Sequence, residues 1–245
     1  MTPVPPAEKV GAVIPAAGGG ERLPGPVAKQ FRELGGVPVL HHTLSRISRD
    51  GLISCIVLAL PPAELSSIEL PDGLSMPVFL VVGGSERQHS VANGLAALPP
   101  MVEWVVVHDG ARPLLPRGLI ETCLLAAQET GASIAALPMT DTVKRDDGRE
   151  FVRETVPRNE LWLAQTPQVF RRDLLEQALS MASDKALEGT DESALLEALG
   201  IRVKLVNGSK FNFKITSPED LVLAEACLAR QEKAGTVFLS PGGRN

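Results

Sequence analysis

Short apolar runs rich in β-branched residues alternate along the chain with longer segments of helical spacing. Five runs bounded by glycine or proline are predicted to be buried strands, at residues 10–14, 55–60, 78–82, 104–108 and 133–137. Three segments between them are predicted to be helices, at residues 39–48, 87–98 and 119–130. This order predicts an α/β fold in which helices flank a mostly parallel, Rossmann-like sheet.

The pattern changes between residues 140 and 158, where the chain is polar and carries Asp146-Asp147-Gly148 as a turn between two extended stretches. We predict a projecting β-hairpin arm at about residues 139–159. An arm of this kind often contacts a second subunit.

Strand and helix patterns return after the arm. They predict strands at residues 161–165, 203–206 and 212–215, and helices at 172–183 and 191–199. Ser217 is the expected N-cap of the last helix, and Pro218 its first residue. We therefore expect one domain over residues 1–233, followed by a flexible tail at 234–245.

Composition excludes several classes of protein. The 29 acidic and 24 basic residues give a net charge of −5, which argues against a nucleic-acid partner. Seven Phe, two Trp and no Tyr leave few side chains on which bases could stack. The three cysteines are isolated and predict neither a disulfide framework nor a zinc site.

Location follows from two further expectations. The longest apolar run, at about residues 52–60, is too short to span a membrane. The first residues lack the basic start and apolar block of a secretory signal. We therefore expect a cytoplasmic protein with no membrane partner.

A glycine-rich loop follows the first predicted strand. It runs from Pro15 to Gly20 and is followed by Arg22 and Lys29. Small residues let backbone N–H groups approach an anion, and the two cations can neutralise it, which predicts a phosphate cradle. The loop does not match the dinucleotide fingerprint, because Leu23 stands where the third glycine belongs. The alternative is a turn that only connects a strand to a helix.

Seven motifs in order give the chain a resemblance to one family. They are Ala16-Ala17-Gly18-x-Gly20-x-Arg22 with Lys29-Gln30, Gly83-Gly84-x-x-Arg87-x-x-Ser90, His108-Asp109-Gly110-Ala111-Arg112-Pro113, Asp141-Thr142-Val143-Lys144, Gln165-Thr166-Pro167-Gln168, Thr190-Asp191-Glu192 and Phe213-Lys214-Ile215-Thr216. Together, over about residues 10–230, they resemble the 2-C-methyl-D-erythritol 4-phosphate cytidylyltransferases.

The resemblance implies a reaction. The phosphate of methylerythritol phosphate would attack the α-phosphorus of CTP, giving CDP-methylerythritol and pyrophosphate for non-mevalonate isoprenoid biosynthesis. No covalent enzyme intermediate is implied. The residues agree, because Gly83-Gly84-Ser85-Glu86-Arg87 fails as a Gly-x-Ser-x-Gly nucleophile motif at its last position. A phosphoryl-type displacement needs mainly alignment and charge neutralisation.

The resemblance also implies roles for particular residues. Arg22 and Lys29 would be catalytic, stabilising the pentavalent phosphorus and the leaving pyrophosphate. The implied CTP-binding residues are Pro15, Ala16, Ala17, Gly18, Gly19, Gly20, Arg22, Lys29, Gly84, Ser85, Ser90 and Gly110. The implied acceptor-binding residues are Asp109, Arg112, Thr142, Arg158, Thr166, Thr190 and Lys214. Asp109 would also lie beside a Mg²⁺ ion as its ligand, whereas His108 is expected to pack or support.

A homodimer is implied as well, because the family arginine that corresponds to Arg158 enters the neighbouring subunit's site. The chain departs from the family at Ala28, where proline is usual, and at Gly110, where alanine is common. Two alternatives stay open. One is a ribitol-5-phosphate cytidylyltransferase, which shares the glycine-rich loop. The other is a nucleotide-binding regulator without catalysis, whose expected mark, loss of Arg22, Lys29 or Asp109, is not found.

Overall fold

The computed structural model describes residues 3–18 and 28–234, with side chains up to residue 230. Eleven strands lie in this part of the chain: β1 (Val10–Pro15), β2 (Glu33–Leu34), β3 (Val37–Pro38), β4 (Cys55–Leu60), β5 (Val78–Val82), β6 (Trp104–Val107), β7 (Ala132–Pro138), β8 (Val143–Asp146), β9 (Val152–Val156), β10 (Trp162–Arg171) and β11 (Lys204–Asn207). The helices within the same ranges are α1 (Val39–Ser48), α2 (Arg87–Ala96), α3 (Leu119–Ala127), α4 (Arg172–Asp184), α5 (Glu192–Ala198) and α6 (Pro218–Ala234).

Seven strands form the central sheet in the order β11-β7-β10-β6-β1-β4-β5. Every neighbouring pair is parallel except those of β10, which runs antiparallel to both β6 and β7. The prediction of a mostly parallel sheet flanked by helices is therefore confirmed. Because most strands point the same way, their carboxyl ends and the loops that follow them gather at one edge of the sheet, where ligands bind in open α/β folds.

Alternation along β1 divides the core between the two faces of the sheet. Ala12 and Ile14 pack in a cluster with α1 and α3, through residues such as Leu44 and Leu124. Val13 points the other way, into a cluster formed with α2, α4 and α5. Both clusters are almost fully buried, so β1 is held from both sides and the loop after it starts from a fixed position.

Two predictions about the second half of the chain were inaccurate. The strand predicted at 161–165 is only the start of β10, and a register shift against β7 lies between Ala164 and Gln168. The strand predicted at 212–215 is wrong, because this segment joins no sheet in the described chain. It is fastened instead by a 2.9 Å bond from Ile215 N–H to the Ala111 carbonyl and by the buried Asn212 side chain. In the first half of the chain, the short hairpin of β2 and β3 was not predicted.

The predicted arm is present as the antiparallel hairpin of β8 and β9, which forms a sheet of its own. Its turn is built as the sequence indicates: the Asp146 carboxylate accepts a 2.9 Å bond from Gly148 N–H, and Asp147 accepts one from Arg149 N–H. Beside this turn, Phe151 and Val152 expose 71% and 64% of their surface. The arm therefore presents apolar side chains outward.

The start of the last helix and the cysteines agree with their predictions, whereas α2 and α3 end at Ala96 and Ala127, before the predicted ends at residues 98 and 130. Ser217 Oγ accepts a bond from Asp220 N–H, and the Asp220 carboxylate accepts one from Ser217 N–H, a reciprocal cap at the start of α6. Cys55 and Cys123 are buried, Cys227 is half-buried, and all three are free thiols. No helix in the described residues is long and apolar enough to cross a membrane. The tail predicted at 234–245 lies outside the described residues except for Ala234, the last residue of α6.

Candidate active site

The loop after β1 forms one wall of a cavity of about 150 Å³ at the carboxyl edge of the sheet. Ala16 N–H donates to the Ala59 carbonyl at 2.8 Å, which continues the pairing of β1 with β4. The buried Gln30 side chain donates to the carbonyls of Ala16 (2.6 Å) and Gly18 (3.4 Å). Gln30 therefore ties this loop to the short helical turn that carries Lys29.

The turn before Lys29 keeps the shape that the family's usual proline would impose. Ala28 has φ −61° and ψ 147°, and proline fixes φ near −65°. The replacement of proline by Ala28 therefore leaves the described backbone in a proline-compatible conformation. Gly19, Gly20 and Arg22, three residues implied to hold or activate the nucleotide, lie outside the described residues.

A second glycine loop, after β5, forms the opposite wall. A Cβ atom on Gly83 would lie 2.1 Å from the Cβ of Ala17, and one on Gly84 would lie 2.1 Å from the Cβ of His89. Only glycine allows these approaches. The buried Ser90 hydroxyl accepts from Gly84 N–H at 3.0 Å and donates to the Glu86 carbonyl, so Ser90 shapes the turn itself.

The structure brings most of the residues that are implied to bind CTP into this one cavity, which we call the nucleotide cavity. The members that line it are Pro15, Ala16, Ala17, Gly18, Lys29, Gly84, Ser85, Ser90 and Gly110. Their individual contacts with CTP stay predictions, because placement in the cavity does not test them.

Asp109 lies in the loop after β6 and is surrounded by cations. Its Oδ1 atom lies 3.1 Å from Arg87 Nε, and its Oδ2 atom lies 2.9 Å from Lys214 Nζ and 3.4 Å from Arg112 Nε. Burial alone would raise the pKa of Asp109, but Arg87, Lys214 and Arg112 outweigh it and hold that pKa well below its usual range. Asp109 is therefore ionised at any pH at which the protein works.

A second cavity of about 220 Å³ adjoins the first. Five of the implied acceptor residues line it: Arg112, Thr166, Thr190, Asp109 and Lys214. Asp109 and Lys214, together with Arg87, also line the nucleotide cavity. The two cavities therefore meet at one carboxylate and two cations. Arg112 is also fixed from behind, because its Nη1 donates to the Asn212 carbonyl at 2.7 Å.

A buried chain of hydrogen bonds holds the Asp109 loop. Asp109 N–H donates to Thr166 Oγ1 at 3.1 Å, and Thr166 Oγ1 lies 3.0 Å from His108 Nδ1. His108 Nε2 lies 3.2 Å from the Arg112 carbonyl, which can only accept, so Nε2 carries the ring proton and Nδ1 accepts from Thr166. Burial lowers the pKa of His108 to about 4, which keeps this neutral tautomer. His108 is thus a supporting residue, as expected.

Comparison with known proteins assigns the chain to a family. The sequence model of the IspD family, described as 2-C-methyl-D-erythritol 4-phosphate cytidylyltransferase, matches residues 10–230. The chain belongs to this family. The cytidylyltransferase family match covers both cavities and the arm, and it does not favour the ribitol-5-phosphate alternative.

Relatives and solved structures agree with the cytidylyltransferase assignment. The chain is 42% identical to the 2-C-methyl-D-erythritol 4-phosphate cytidylyltransferase of Syntrophus aciditrophicus, over 91% of this chain and 97% of that protein. It is 45% identical to the enzyme of that name from Halalkalibacterium halodurans, over 90% and 97%. A crystal structure of the Thermus thermophilus enzyme superposes with a TM-score of 0.76 at 43% identity, covering 91% of this chain and 99% of that one.

Two of the acceptor residues implied by the cytidylyltransferase family do not reach the cavities. Thr142 and Arg158 are exposed at the base of the arm, and Arg158 Nη1 donates to the Thr140 carbonyl. Neither residue lines the cavity that holds Asp109 and Lys214. A site built from one chain alone therefore lacks these two groups.

Two functional candidates received no role from the sequence. Arg87 and Glu192 both lie inside the quoted family motifs, yet nothing in their spacing showed that they meet. In the fold, Arg87 Nη1 donates to the buried Glu192 carboxylate while Arg87 Nε contacts Asp109. The signal in the sequence that could have pointed to Arg87 is its place just after the loop that contains Gly83 and Gly84.

Proposed function

We propose that this cytidylyltransferase joins CTP to 2-C-methyl-D-erythritol 4-phosphate through direct attack of the acceptor phosphate on the α-phosphorus of CTP, with release of pyrophosphate. The observation that carries the proposal is the meeting of the two cavities at Arg87, Asp109 and Lys214. A nucleotide in one cavity and a polyol phosphate in the other would present their reacting atoms to each other there.

The chemistry requires positioning and positive charge more than it requires a nucleophilic side chain. Two negatively charged reactants repel each other in water, and fixed cations and backbone donors in a partly dry site remove that repulsion. Lys29 lines the nucleotide cavity beside Ala16, Ala17 and Gly18, where it would neutralise charge that develops on the leaving pyrophosphate. We assign the same task to Arg22 on the family pattern.

Lys214 and Arg112 are proposed to receive the acceptor phosphate. Both lie at the second cavity, and charged hydrogen bonds to a phosphate dianion are strong. The Thr166 hydroxyl donates its only proton to His108, so Thr166 supports the Asp109 loop, and any contact with the acceptor would use its oxygen as an acceptor of a hydrogen bond.

The residues also fit a divalent cation that accompanies the triphosphate. Asp109 is the one carboxylate that lines both cavities, and its three cationic partners leave one lone-pair direction on Oδ1 unused among the described residues. Mg²⁺ commonly takes one carboxylate and fills its other positions with phosphate oxygens and water. When bound, it would withdraw charge from the phosphate oxygens and help pyrophosphate to leave. No group of three or more metal-ligating side chains is present in the described ranges.

We further propose a homodimer in which the arm reaches a second copy of the chain. The support is the outward apolar surface of Phe151 and Val152 on the arm, together with Trp162 and Leu163 at the start of β10. Thr142 and Arg158 lie at the base of the same arm, outside their own chain's cavities, so a partner's site is where they would act. We also propose a cytoplasmic location, because CTP is a cytoplasmic metabolite.

Turnover of purified protein tests the proposed reaction. The protein is incubated with CTP and Mg²⁺ and, separately, with methylerythritol phosphate or ribitol 5-phosphate, while pyrophosphate release is followed. We expect release with methylerythritol phosphate and little with ribitol 5-phosphate. Turnover of ribitol 5-phosphate alone would overturn the assignment of the acceptor. Pyrophosphate release with neither acceptor would favour the alternative of a nucleotide-binding regulator without catalysis.

A further inference from the structure

Glu192, the first residue of α5, is a buried carboxylate with a single partner. Its side chain is 1% exposed, Oε2 accepts from Arg87 Nη1, and Oε1 is buried without a hydrogen-bond partner in the described chain. Burial raises the pKa of Glu192, against the opposing effect of Arg87. A buried carboxylate with one oxygen unpaired lowers the stability of the fold. The position of Glu192 therefore needs an explanation other than stability.

Arg87 connects that carboxylate to the active site. It is the first residue of α2, directly after the glycine loop of the nucleotide cavity. Its Nε atom lies 3.1 Å from Asp109 Oδ1, and its side chain lines both cavities. The two hydrogen bonds use two of the five N–H groups of the guanidinium, which leaves donors for a phosphate oxygen.

The two carboxylates fix the guanidinium from different directions. Glu192 belongs to α5 and Asp109 to the loop after β6, so the plane of the Arg87 fork is defined by two separate elements. A guanidinium held in this way keeps its remaining donors at a fixed place and does not have to reorganise when charge develops. If Asp109 at Nε were the only partner of Arg87, the guanidinium group would be free to rotate.

We propose that Arg87 is a further substrate-binding residue at the junction of the two cavities and that Glu192 is its positioning residue, holding Arg87 against Asp109 so that its free donors meet a phosphoryl oxygen. This rests on the proposed cytidylyl transfer and assigns it a charge donor besides Arg22 and Lys29. No bond is made or broken by either side chain. The purely structural alternative is that the pair only fastens α5 to α2.

Substitutions distinguish the two roles. Glu192→Gln keeps the size of the side chain but removes its charge, and Arg87→Lys keeps the charge but removes the fork. We expect each to lower kcat about ten- to a hundredfold with a smaller change in the KM for CTP, as loss of an orienting partner does elsewhere. The double variant should lose no more than the worse single variant, because the two act as a unit.

An apolar pair serves as the matched control. In Arg87→Met with Glu192→Leu the buried ion pair is replaced by side chains that can pack, an exchange that is often neutral for stability. If the pair only fastens two helices, this variant keeps both its melting temperature and its kcat. If Arg87 binds a substrate as proposed, the variant keeps its melting temperature but shows the loss of kcat, and the single variant Glu192→Gln then reports whether Glu192 positions Arg87.

A crystal structure of Glu192→Gln decides the matter without relying on turnover. We expect the contact between Arg87 Nε and Asp109 Oδ1 to break or to lengthen beyond hydrogen-bond distance. An unchanged contact, or full kcat in the apolar double variant, would overturn the positioning role. Wild-type protein assayed in parallel separates this result from the proposed function: if wild type turns over no acceptor, the reaction is wrong, while the crystal structure still tests the positioning.

Discussion

The Lys214 ammonium lies 2.9 Å from Oδ2 of Asp109, so a segment outside the sheet supplies a cation to the loop after β6. Lys214 is 29% exposed in its side chain and lines both cavities. Its ammonium can therefore contact an incoming phosphate while it remains close to Asp109. This contact ties binding of the acceptor to the charge balance of the buried carboxylate.

Lys214→Met is expected to raise the KM for methylerythritol phosphate about ten- to a hundredfold, since a hydrogen bond to a charged group contributes about 1.5 to 3 kcal/mol. The KM for CTP should change less. Steady-state kinetics with each substrate varied in turn measure both values. Lys210→Met is the control, because Lys210 is an exposed lysine of the same segment that lines neither cavity. Equal changes in the two variants would contradict a role for Lys214 in acceptor binding.

Lys29→Ala is expected to lower kcat about a hundred- to a thousandfold, which corresponds to roughly 3 to 4 kcal/mol of lost transition-state stabilisation. The physical reason is that Lys29 lies in the nucleotide cavity and would stabilise charge made only as the α-phosphorus bond breaks. Single-turnover measurements at saturating CTP isolate that step. Lys185→Ala, at an exposed position after α4, should turn over normally. Near-normal turnover of Lys29→Ala would exclude the catalytic role.

The position of the site at the carboxyl edge of the sheet, and most of its residues, could be predicted from the sequence, because strand patterns and loop glycines are local signals. The predicted strand ended at residue 165, although β10 continues to Arg171, because the strand contains Thr166-Pro167 and proline normally excludes a central strand. The register shift between Ala164 and Gln168 is what admits that proline, and no local pattern shows such a shift.

The contacts among distant residues could not be predicted in the same way. The segment at 212–215 looks like a strand from its residues, yet the Asn212 amide, which donates to the Thr166 carbonyl at 2.7 Å, holds it outside the sheet. The ion pair of Arg87 and Glu192 likewise depends on how α2 and α5 meet. Both are products of tertiary packing, which propensity and spacing do not encode.

Gly83→Ala is expected to weaken CTP binding about tenfold, because overpacking typically costs about 1 to 3 kcal/mol. The new methyl group would lie 2.1 Å from the Cβ of Ala17 and would push the two walls of the nucleotide cavity apart. Isothermal titration with CTP measures the loss. The compensating variant Gly83→Ala with Ala17→Gly removes the atom that clashes and should recover part of the affinity. Failure to recover any would mean that the close approach of the two loops is not the cause.

Asp50→Asn is expected to stabilise the fold at about pH 8 by roughly 1 to 2 kcal/mol, after allowance for partial solvent screening. Burial, with a smaller contribution from Glu121, raises the pKa of Asp50 to about 6, and one of its oxygens is buried without a partner among the described residues. A raised folded-state pKa means that stability is lost as the pH rises from about 4 to about 6.

The gain from Asp50→Asn should therefore disappear near pH 4, where the carboxyl group is largely protonated in the folded state and the charge that the asparagine removes is no longer present there. Urea denaturation at the two pH values measures it. Asp72→Asn is the control, because Asp72 is exposed. A gain of equal size at both pH values would show that the asparagine acts through something other than the removed charge.

Mixing two inactive variants tests whether the arm completes a neighbour's site. If Arg158 acts across the dimer, a mixed dimer of Lys29→Ala and Arg158→Ala subunits contains one site with both defects and one with neither. Random mixing makes half of the dimers mixed, so activity should recover to about one quarter of the wild-type value. If Arg158 serves its own chain, every site keeps one defect and nothing is recovered. Pyrophosphate release before and after subunit exchange, with sedimentation to show that exchange occurred, distinguishes the two arrangements.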